Sequence, residues 1–116
     1  MESLVLGQPR EMEAVNVTNH GAIPNLPAEM VVEVPALCDG SGLHPVAMAP
    51  LPEGLAALLR TQASLNQLLI EAFAEGSKMK LLQALLLDPT VDSYRHAVLM
   101  MNEMIELQQE LLPVLR

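Results

Sequence analysis

The residues that most often bind metals or act as nucleophiles are scarce in this sequence. It has one cysteine and three histidines, namely Cys38, His20, His44 and His96. A metal site needs three or four ligands at convergent positions, and only Cys38 and His44 lie near each other, six residues apart. A nucleophilic cysteine needs a base and a group that lowers the pKa of the thiol, and nothing close to Cys38 in the sequence supplies the second. We therefore expect a small buried cysteine, and we expect His96 to serve packing or the surface.

Glycines and carboxylates do not define a site either. Gly40 and Gly42 form a G-x-G pair, but Pro45 stands where the third glycine of a dinucleotide-binding loop belongs, and no G-x-x-x-x-G-K segment occurs. Several carboxylates are explained as solvated groups or helix caps: Glu29, Glu33, Glu71 and Asp88. The residues alone therefore predict no complete active site in this chain.

Length and charge restrict the kinds of protein this can be. A chain of 116 residues is long enough for one small domain. Hydrophobic residues make up 51% of it but aromatic residues only 2%, so aliphatic side chains and methionines must form the core. Fourteen acidic residues against six basic ones give a net charge of −8. That charge opposes binding to nucleic acid or anionic lipid, because the phosphates would repel it.

The sequence predicts a soluble cytoplasmic protein. A single cysteine excludes an internal disulfide framework and fits a reducing compartment. Residues 1–10 lack the basic start and the long apolar stretch of a secretory signal peptide. The apolar runs elsewhere are far too short to cross a membrane.

The composition changes near Pro50, and the part before it predicts strands. Residues 1–50 hold six of the nine prolines and four of the six glycines. Residues 19–27 combine Asn, Gly and two prolines, which is typical of a shaped loop. A strand that follows this loop should stop at Pro35, because proline cannot donate to the ladder. Alternating or β-branched residues predict three short strands, at 13–18, 30–34 and 43–49.

The part after Pro50 predicts three helices. Pro52 suits the first turn of a helix over residues 53–75, and Gly76 suits its C-terminal stop. The fold class is therefore α+β and predominantly helical, with two or three short strands followed by three helices. We expect a single partial domain over residues 1–116, made of a strand and loop segment (1–50) and a three-helix segment (51–116).

Caps mark the other two helices. Ser77 suits the start of a second helix that runs to about Leu87. The Asp88-Pro89 pair ends it, because a residue before proline avoids helical backbone angles. Either Thr90 or Asp92 caps a third helix, which is expected to reach about residue 112 before Pro113.

The first predicted helix has an apolar face with two amides in its middle. At 100° per residue, Gln62 and Asn66 fall among the residues of that face: Leu55, Leu58, Leu59, Leu65, Leu69 and Phe73. The opposite face should meet water and holds Arg60, Ser64, Gln67, Glu71 and Glu75. A buried amide without partners costs about 1–3 kcal/mol. Each amide is therefore predicted to find a partner, either a backbone group of the loop or a polar ligand.

Several motifs occur in the same order as in one known family. Residues 16–27 follow the pattern N-x-x-N-x-G-x-I-x-N-L-P, and V-V-E-V-P follows at 31–35. Shorter matches continue along the chain: Gly42-Leu43-His44-Pro45, Leu51-Pro52, Gln62, Glu71-Ala72, Gln83-Ala84-Leu85 with Asp88-Pro89, and Leu111-Leu112-Pro113. Over residues 13–113 the chain resembles the C-terminal domain of glycoside hydrolase family 4, whose members include α-galactosidases, α-glucosidases and 6-phospho-glucosidases.

The resemblance implies a fold and a chemistry. The fold is part of a lactate dehydrogenase-like C-terminal domain. Enzymes of the family bind NAD and a divalent metal, typically manganese. They oxidise the sugar at C3, abstract the C2 proton, eliminate the aglycone, add water and reduce the ketone again. The Rossmann-type half, the metal ligands and the catalytic base belong to upstream segments that this chain lacks, and Cys38 does not match the family's metal-binding cysteine.

For this chain the resemblance implies no catalytic, cofactor-binding or metal-binding residue. It points to five residues that would line the substrate site: Asn19, His20, Gly21, Gln62 and Asn66. The competing interpretation is that all five support the fold.

Three hypotheses about function remain open. The first is a C-terminal fragment of such a glycosidase, inactive alone, which contributes substrate-site lining and oligomer contacts. Its partners would be copies of itself or an upstream Rossmann-type domain or chain. The alternative is a non-catalytic interaction or scaffolding module, and the third is an enzyme whose site is assembled between copies. A domain separated from its other half exposes apolar surface, so we expect a homo-oligomer.

Overall fold

The computed structural model describes residues 5–116; residues 1–4, at the start of the segment considered above for a signal peptide, lie outside the described residues. Three antiparallel strands are followed by three helices, which confirms the predicted α+β class. The chain divides into two compact units between Ala57 and Leu58. The prediction of a single partial domain stays a prediction.

The first unit is built on an antiparallel sheet in the order β1-β2-β3. The strands span Arg10–Thr18 (β1), Val31–Asp39 (β2) and Gly42–Pro45 (β3). All three predicted strands are present, but the first two are longer than predicted and the third is shorter. The register of β1 on β2 shifts between Met12 and Val15, where β1 forms a bulge.

The prediction that the second strand stops at Pro35 is wrong. Val34 pairs with Val15 and Ala36 pairs with Met12, so Pro35 lies at the bulge, where the ladder to β1 is interrupted. Its carbonyl accepts a hydrogen bond from the Val46 N–H at 2.8 Å. Proline is tolerated at a bulge because no ladder donor is needed there. The strand therefore continues through Pro35.

Side chains of β2 alternate between the core and the surface. Val32, Val34, Ala36 and Cys38 are buried, which confirms the prediction of a buried cysteine. A core cluster joins this strand to the loop after β1 and to the start of the first helix; its buried members are Ile23, Leu26, Val32, Val34 and Ala56.

The loop between β1 and β2 is organised by the side chain of Asn19, which is 2% exposed. Its Nδ2 lies 3.0–3.1 Å from the carbonyl oxygens of Ile23, Leu26 and Pro27. Its Oδ1 accepts from the Ile23 N–H at 2.7 Å. One amide thus bonds four backbone groups of the loop, and two of them, the carbonyls of Ile23 and Pro27, also accept from the N–H groups of Leu26 and Met30.

The first two helices have the predicted bounds and caps. They are Glu53–Glu75 (α1) and Lys78–Leu87 (α2). Gly76 has φ +65°, the left-handed conformation that ends helices and favours glycine. The Ser77 Oγ accepts from the Lys80 N–H at 3.3 Å and so caps α2.

The third helix begins and ends elsewhere than predicted. It spans Tyr94–Leu107 (α3), and Ser93 is its N-cap instead of Thr90 or Asp92. Ser93 has the extended backbone that a cap requires, and its Oγ accepts from the His96 N–H. Thr90 is instead held in a turn by Asp88 Oδ1.

The end of α3 also differs from the predicted stop near residue 112. The N–H of Gln108 bonds to the Met104 carbonyl and closes the helix. The chain then turns, and its last residue pairs with the connection between α1 and α2. The Arg116 N–H donates to the Gly76 carbonyl at 2.7 Å, and the Lys78 N–H donates to the Arg116 carbonyl at 2.9 Å.

The core of the second unit lies between α2 and α3. Its buried members are Leu82, Ala97 and Met101, and partly buried aliphatic side chains surround them. The Lys80 Nζ reaches Glu71 at 2.6 Å and Glu75 at 2.7 Å, which ties α2 to the last turns of α1. This contact explains why Glu71 is only partly exposed, although it was predicted to face water.

The apolar face of α1 is largely exposed in the described part of the chain. Of its six members only Leu65 is buried, whereas Leu58 is 68% exposed and Phe73 is 59% exposed. The other buried residues of α1 are Ala56 and Ala72. Periodicity shows where the apolar side chains lie, but the described part of this chain does not cover them.

Replacing Asn19 with Ala is expected to destabilise the protein by about 2–4 kcal/mol, because the Ile23 N–H and the Leu26 carbonyl lose the partner that Asn19 provides. Urea denaturation followed by circular dichroism measures this. The control is Asn102→Ala, at an exposed position of α3, which should change the free energy of unfolding by less than about 0.5 kcal/mol. Equal effects of the two substitutions would contradict the organising role of Asn19.

Gly76→Ala is expected to cost about 2 kcal/mol, because Gly76 has positive φ and an added Cβ would lie 2.6 Å from the Val114 carbonyl oxygen. Gly54→Ala is the matched control, since an added Cβ there meets nothing within 4 Å. In a helix that substitution should be neutral or stabilising. Thermal unfolding of both variants checks the difference, and a neutral Gly76→Ala would contradict it.

Candidate functional site

Among the residues predicted to line a site, the loop triplet lies in the first unit. Asn19 directs its side chain into the loop, as described above, and supports the two residues that follow. His20 has φ +41° and Gly21 has φ +91°, and both are exposed. The His20 N–H donates to the Ala28 carbonyl at 2.9 Å, which fixes this turn.

The conformation of His20 suggests a use beyond packing. A non-glycine residue with positive φ is uncommon, and such strained positions cluster at ligand-binding sites. Nothing lies within 4 Å of the position a Gly21 Cβ would occupy, so the turn is open on that side. The turn therefore holds an accessible imidazole on a fixed backbone, where it could bond a hydroxyl or phosphate oxygen.

Gln62 and Asn66 lie in the second unit and are both exposed. The Gln62 Nε2 donates to the Asn66 Oδ1 at 3.2 Å. The expectation that each amide needs a loop carbonyl or a ligand is therefore corrected: neither is buried here, and each has the other as a partner. Their role as lining of a substrate site stays a prediction.

A cluster that the sequence analysis missed occupies the β2–β3 hairpin. Asp39 Oδ1 accepts from the Ser41 N–H at 2.8 Å and from the Ser41 Oγ at 2.6 Å, and His44 Nε2 lies 2.8 Å from that Oγ. The hydrogen bonds from Ser41, followed by that from His44, lower the pKa of Asp39 from 3.8 to about 2. The signal in the sequence was Asp39-Gly-Ser-Gly followed by His44, which had been paired with Cys38 instead.

The residue types of this hairpin cluster match a Ser-His-Asp triad, but its geometry does not. In a triad the acid and the serine contact different nitrogens of the imidazole. Here Asp39 Oδ1 and Ser41 Oγ lie 3.1 and 2.8 Å from the same atom, His44 Nε2. The carboxylate bonds the serine directly and closes a turn, so the cluster stabilises the hairpin.

The described residues do not fit a metal or a dinucleotide. Within residues 5–116 no group of three His, Cys, Asp or Glu side chains could hold a metal ion. Gly40 and Gly42 lie in a hairpin between strands, whereas a dinucleotide loop leads from a strand into a helix. In the same part of the chain, no helix has the length and hydrophobicity to span a membrane.

A shallow cavity of about 430 Å³ lies beside the bulge of the sheet. It is lined by Glu11, Met12, Glu13, Pro35, Ala36, Leu37 and Val46. The two carboxylates would repel an anionic ligand such as a sugar phosphate. The cavity is therefore a poor candidate for a phosphate-binding site.

Comparison with known proteins gives concordant results for sequence and structure. The profile of the "Family 4 glycosyl hydrolase C-terminal domain" matches residues 1–91. The α-glucosidase of Erwinia rhapontici is 35% identical over 116 residues, which is 100% of this chain and 25% of the relative. The maltose-6′-phosphate glucosidase of Bacillus subtilis (strain 168) is 36% identical over 99 residues, 85% of this chain and 22% of the relative.

A solved structure shows the same fold. It is a 6-phospho-α-glucosidase from gut microorganisms in complex with NAD and glucose-6-phosphate, 32% identical, with a TM-score of 0.89 over 99% of this chain and 26% of that one. The chain thus spans about a quarter of the length of the relatives it matches. It belongs to glycoside hydrolase family 4, and the region of that family to which it corresponds is the C-terminal domain.

Proposed function

We propose that this chain serves as the C-terminal part of a glycosidase that uses NAD and manganese, and that it has no glycosidase activity alone. One observation carries the proposal. Nearly the whole chain matches about a quarter of the length of enzymes whose structures contain NAD together with Mn²⁺ or glucose-6-phosphate. The substrate class we propose is α-glucosides or their 6-phosphates.

The contribution of this chain to substrate binding would come from the turn at His20 and Gly21. Asn19 acts as a positioning residue, because its amide holds the loop that carries them. An exposed imidazole on a fixed turn is suited to bonding sugar hydroxyls or a phosphate. Gln62 and Asn66 remain a second candidate for this lining, since exposed amides bond hydroxyl groups equally well.

The partners we propose are an upstream Rossmann-type domain or chain, and further copies of this chain. The exposed apolar side chains of α1 support association, because monomers rarely expose contiguous apolar patches of this kind. A cytoplasmic location is proposed from the single, unpaired cysteine. The same apolar face also supports the alternative function, a scaffolding module without catalytic duty.

A first experiment tests activity. The purified chain, incubated with p-nitrophenyl α-glucoside or its 6-phosphate, NAD and Mn²⁺, is expected to release no nitrophenol above the blank. A chimera in which this chain replaces the C-terminal quarter of the Erwinia rhapontici α-glucosidase is expected to hydrolyse the unphosphorylated substrate. A chimera that binds NAD but does not hydrolyse would favour the scaffolding module, and activity of the chain alone would overturn its inactivity.

In that chimera, His20→Ala is expected to lower kcat/KM about tenfold, the effect of one lost substrate hydrogen bond. His96→Ala, at an exposed position of α3, is the matched control and should leave kcat/KM unchanged. Steady-state kinetics, with thermal unfolding to confirm that both variants fold, give the result. An unchanged kcat/KM for His20→Ala would assign the turn a structural role only.

A further inference from the structure

We infer that Asn25 is a positioning residue for substrate binding. Its side-chain amide fixes the loop that carries His20 to the segment that leads into α1, and it affects the substrate only through His20. The inference rests on the substrate role proposed above for the turn at His20 and Gly21, and it deepens that proposal. Asn25 lies five residues after His20 in the same loop, and its side chain bonds the backbone of Leu51.

The backbone of Leu51 needs partners from outside the regular elements. Leu51 lies between β3 and α1 and directly precedes Pro52. A residue before proline favours an extended backbone, so Leu51 does not begin the helix itself. Its N–H and carbonyl make partly buried hydrogen bonds, and either group would cost stability if it were left unpaired. A partner with one donor and one acceptor is therefore needed.

The amide of Asn25 supplies both partners. Its Nδ2 donates to the Leu51 carbonyl at 2.9 Å, and its Oδ1 accepts from the Leu51 N–H, also at 2.9 Å. A side-chain amide has the same kinds of donor and acceptor as a backbone peptide, so Asn25 pairs with Leu51 as a residue of an adjacent strand would. The two bonds together fix the orientation of the loop as well as its distance from Leu51.

The turn is joined to the same segment by its backbone. Ala22 closes the turn by donating its N–H to the Asn19 carbonyl at 2.7 Å, and its own carbonyl accepts from the Met48 N–H at 2.7 Å. Residues 48–51 therefore hold the loop at two points, the end of the turn and Asn25. The second point depends on a side chain, so a substitution can remove it.

The two amides of the loop have different tasks. The Asn19 amide bonds only groups within the loop, so it fixes the internal shape. Ile23 and Leu26 hold the loop on the core, but apolar contacts are non-directional. The Asn25 amide reaches a residue 26 positions away and is directional, so it fixes where the turn lies.

A fixed turn matters because a side chain that binds substrate works best when it is already in place. A loop that must be ordered on binding lowers affinity, whereas a pre-organised loop avoids that cost. A displacement of about 1 Å can cost a factor of up to about 100 in rate. Loss of the Asn25 bonds leaves the His20 imidazole in the loop, so we expect a smaller effect than loss of the imidazole itself.

A double-mutant cycle in the chimera tests the inference with p-nitrophenyl α-glucoside as substrate. Asn25→Ala is expected to lower kcat/KM about fivefold, against about tenfold for His20→Ala. Because Asn25 acts through His20, the double variant should lose about tenfold, and not the roughly fiftyfold of independent effects. Asn25→Asp should behave like Asn25→Ala, since a carboxylate accepts from the Leu51 N–H but cannot donate to its carbonyl.

Ser93→Ala is the matched control for stability. It removes the N-cap of α3, so it should lower the midpoint of thermal unfolding about as much as Asn25→Ala does. Its kcat/KM should be unchanged, because no residue of α3 is proposed to bind substrate. An equal loss of kcat/KM in Ser93→Ala would mean that lost stability alone explains the effect, and it would overturn the inference.

Hydrogen exchange measured by NMR on the chain itself tests the placement of the loop without an activity assay. In Asn25→Ala the Met48 N–H is expected to exchange about tenfold faster, because its partner, the Ala22 carbonyl, lies in the released loop. The Val46 N–H, which bonds the Pro35 carbonyl, should keep its rate. Unchanged exchange at Met48 would overturn the inference.

The kinetic outcomes separate this inference from the proposed function. If His20→Ala lowers kcat/KM and Asn25→Ala does not, the positioning role is overturned and the substrate role of the turn is retained. A loss of about fiftyfold in the double variant has the same meaning. An inactive chimera, or an unchanged kcat/KM for His20→Ala, overturns the substrate role of the turn and this inference with it.

Discussion

The hydrogen bonds of one side-chain amide, that of Asn19, hold together the loop on which the first unit depends. This loop carries two prolines and leads from β1 back to β2, and its backbone groups bond one another only in turns and at its ends. The Asn19 amide bonds three carbonyls and one N–H, all within the loop. Ile23 and Leu26 can then enter the core, and His20 is left on the outside with a fixed backbone. The same Asn19 hydrogen bonds thus support both the packing of Ile23 and Leu26 in the core and the exposed position of His20.

The second unit depends on a different kind of constraint, the tight turn between α1 and α2. Gly76 has positive φ, which glycine adopts easily because it has no Cβ, and so the chain can turn there. Ser77 is the N-cap of the next helix. The same turn receives Arg116 through two backbone hydrogen bonds and lies beside the ion pairs of Lys80. The end of α1, the start of α2, the last residue Arg116 and the ion pairs of Lys80 therefore all lie at this turn.

What the sequence could predict depended on how local the deciding interaction is. The ends of α1 follow from Pro52 and Gly76, and the start of α2 from Ser77, because caps act within one turn. Continuation through Pro35 could not be predicted, since it depends on a bulge in the other strand. Ser93 caps α3 instead of Thr90 or Asp92 because of the backbone angles at these positions. All three residue types can serve as N-caps, so the sequence could not decide between them.

The sequence predicted which residues belong to the candidate site, but not how their side chains are oriented. The Asn19-His20-Gly21 motif marked a shaped turn, but only the structure shows that Asn19 faces inward and His20 outward. The helical wheel of α1 placed its apolar residues and its two amides together, yet it could not show whether anything covers them. Family membership came from several motifs in register, which carry information that no single residue type does.

The bulge of β1 has a consequence for solubility. In the described part of the chain β1 is the outer strand of the sheet, and its free edge offers backbone groups to any passing strand. A flat edge of this length would be a template for fibrillar pairing. The irregularity between Met12 and Val15 twists the edge, and the exposed Glu11 and Glu13 beside it repel an identical strand. The bulge that accommodates Pro35 in β2 thus also disfavours the addition of another strand at the β1 edge.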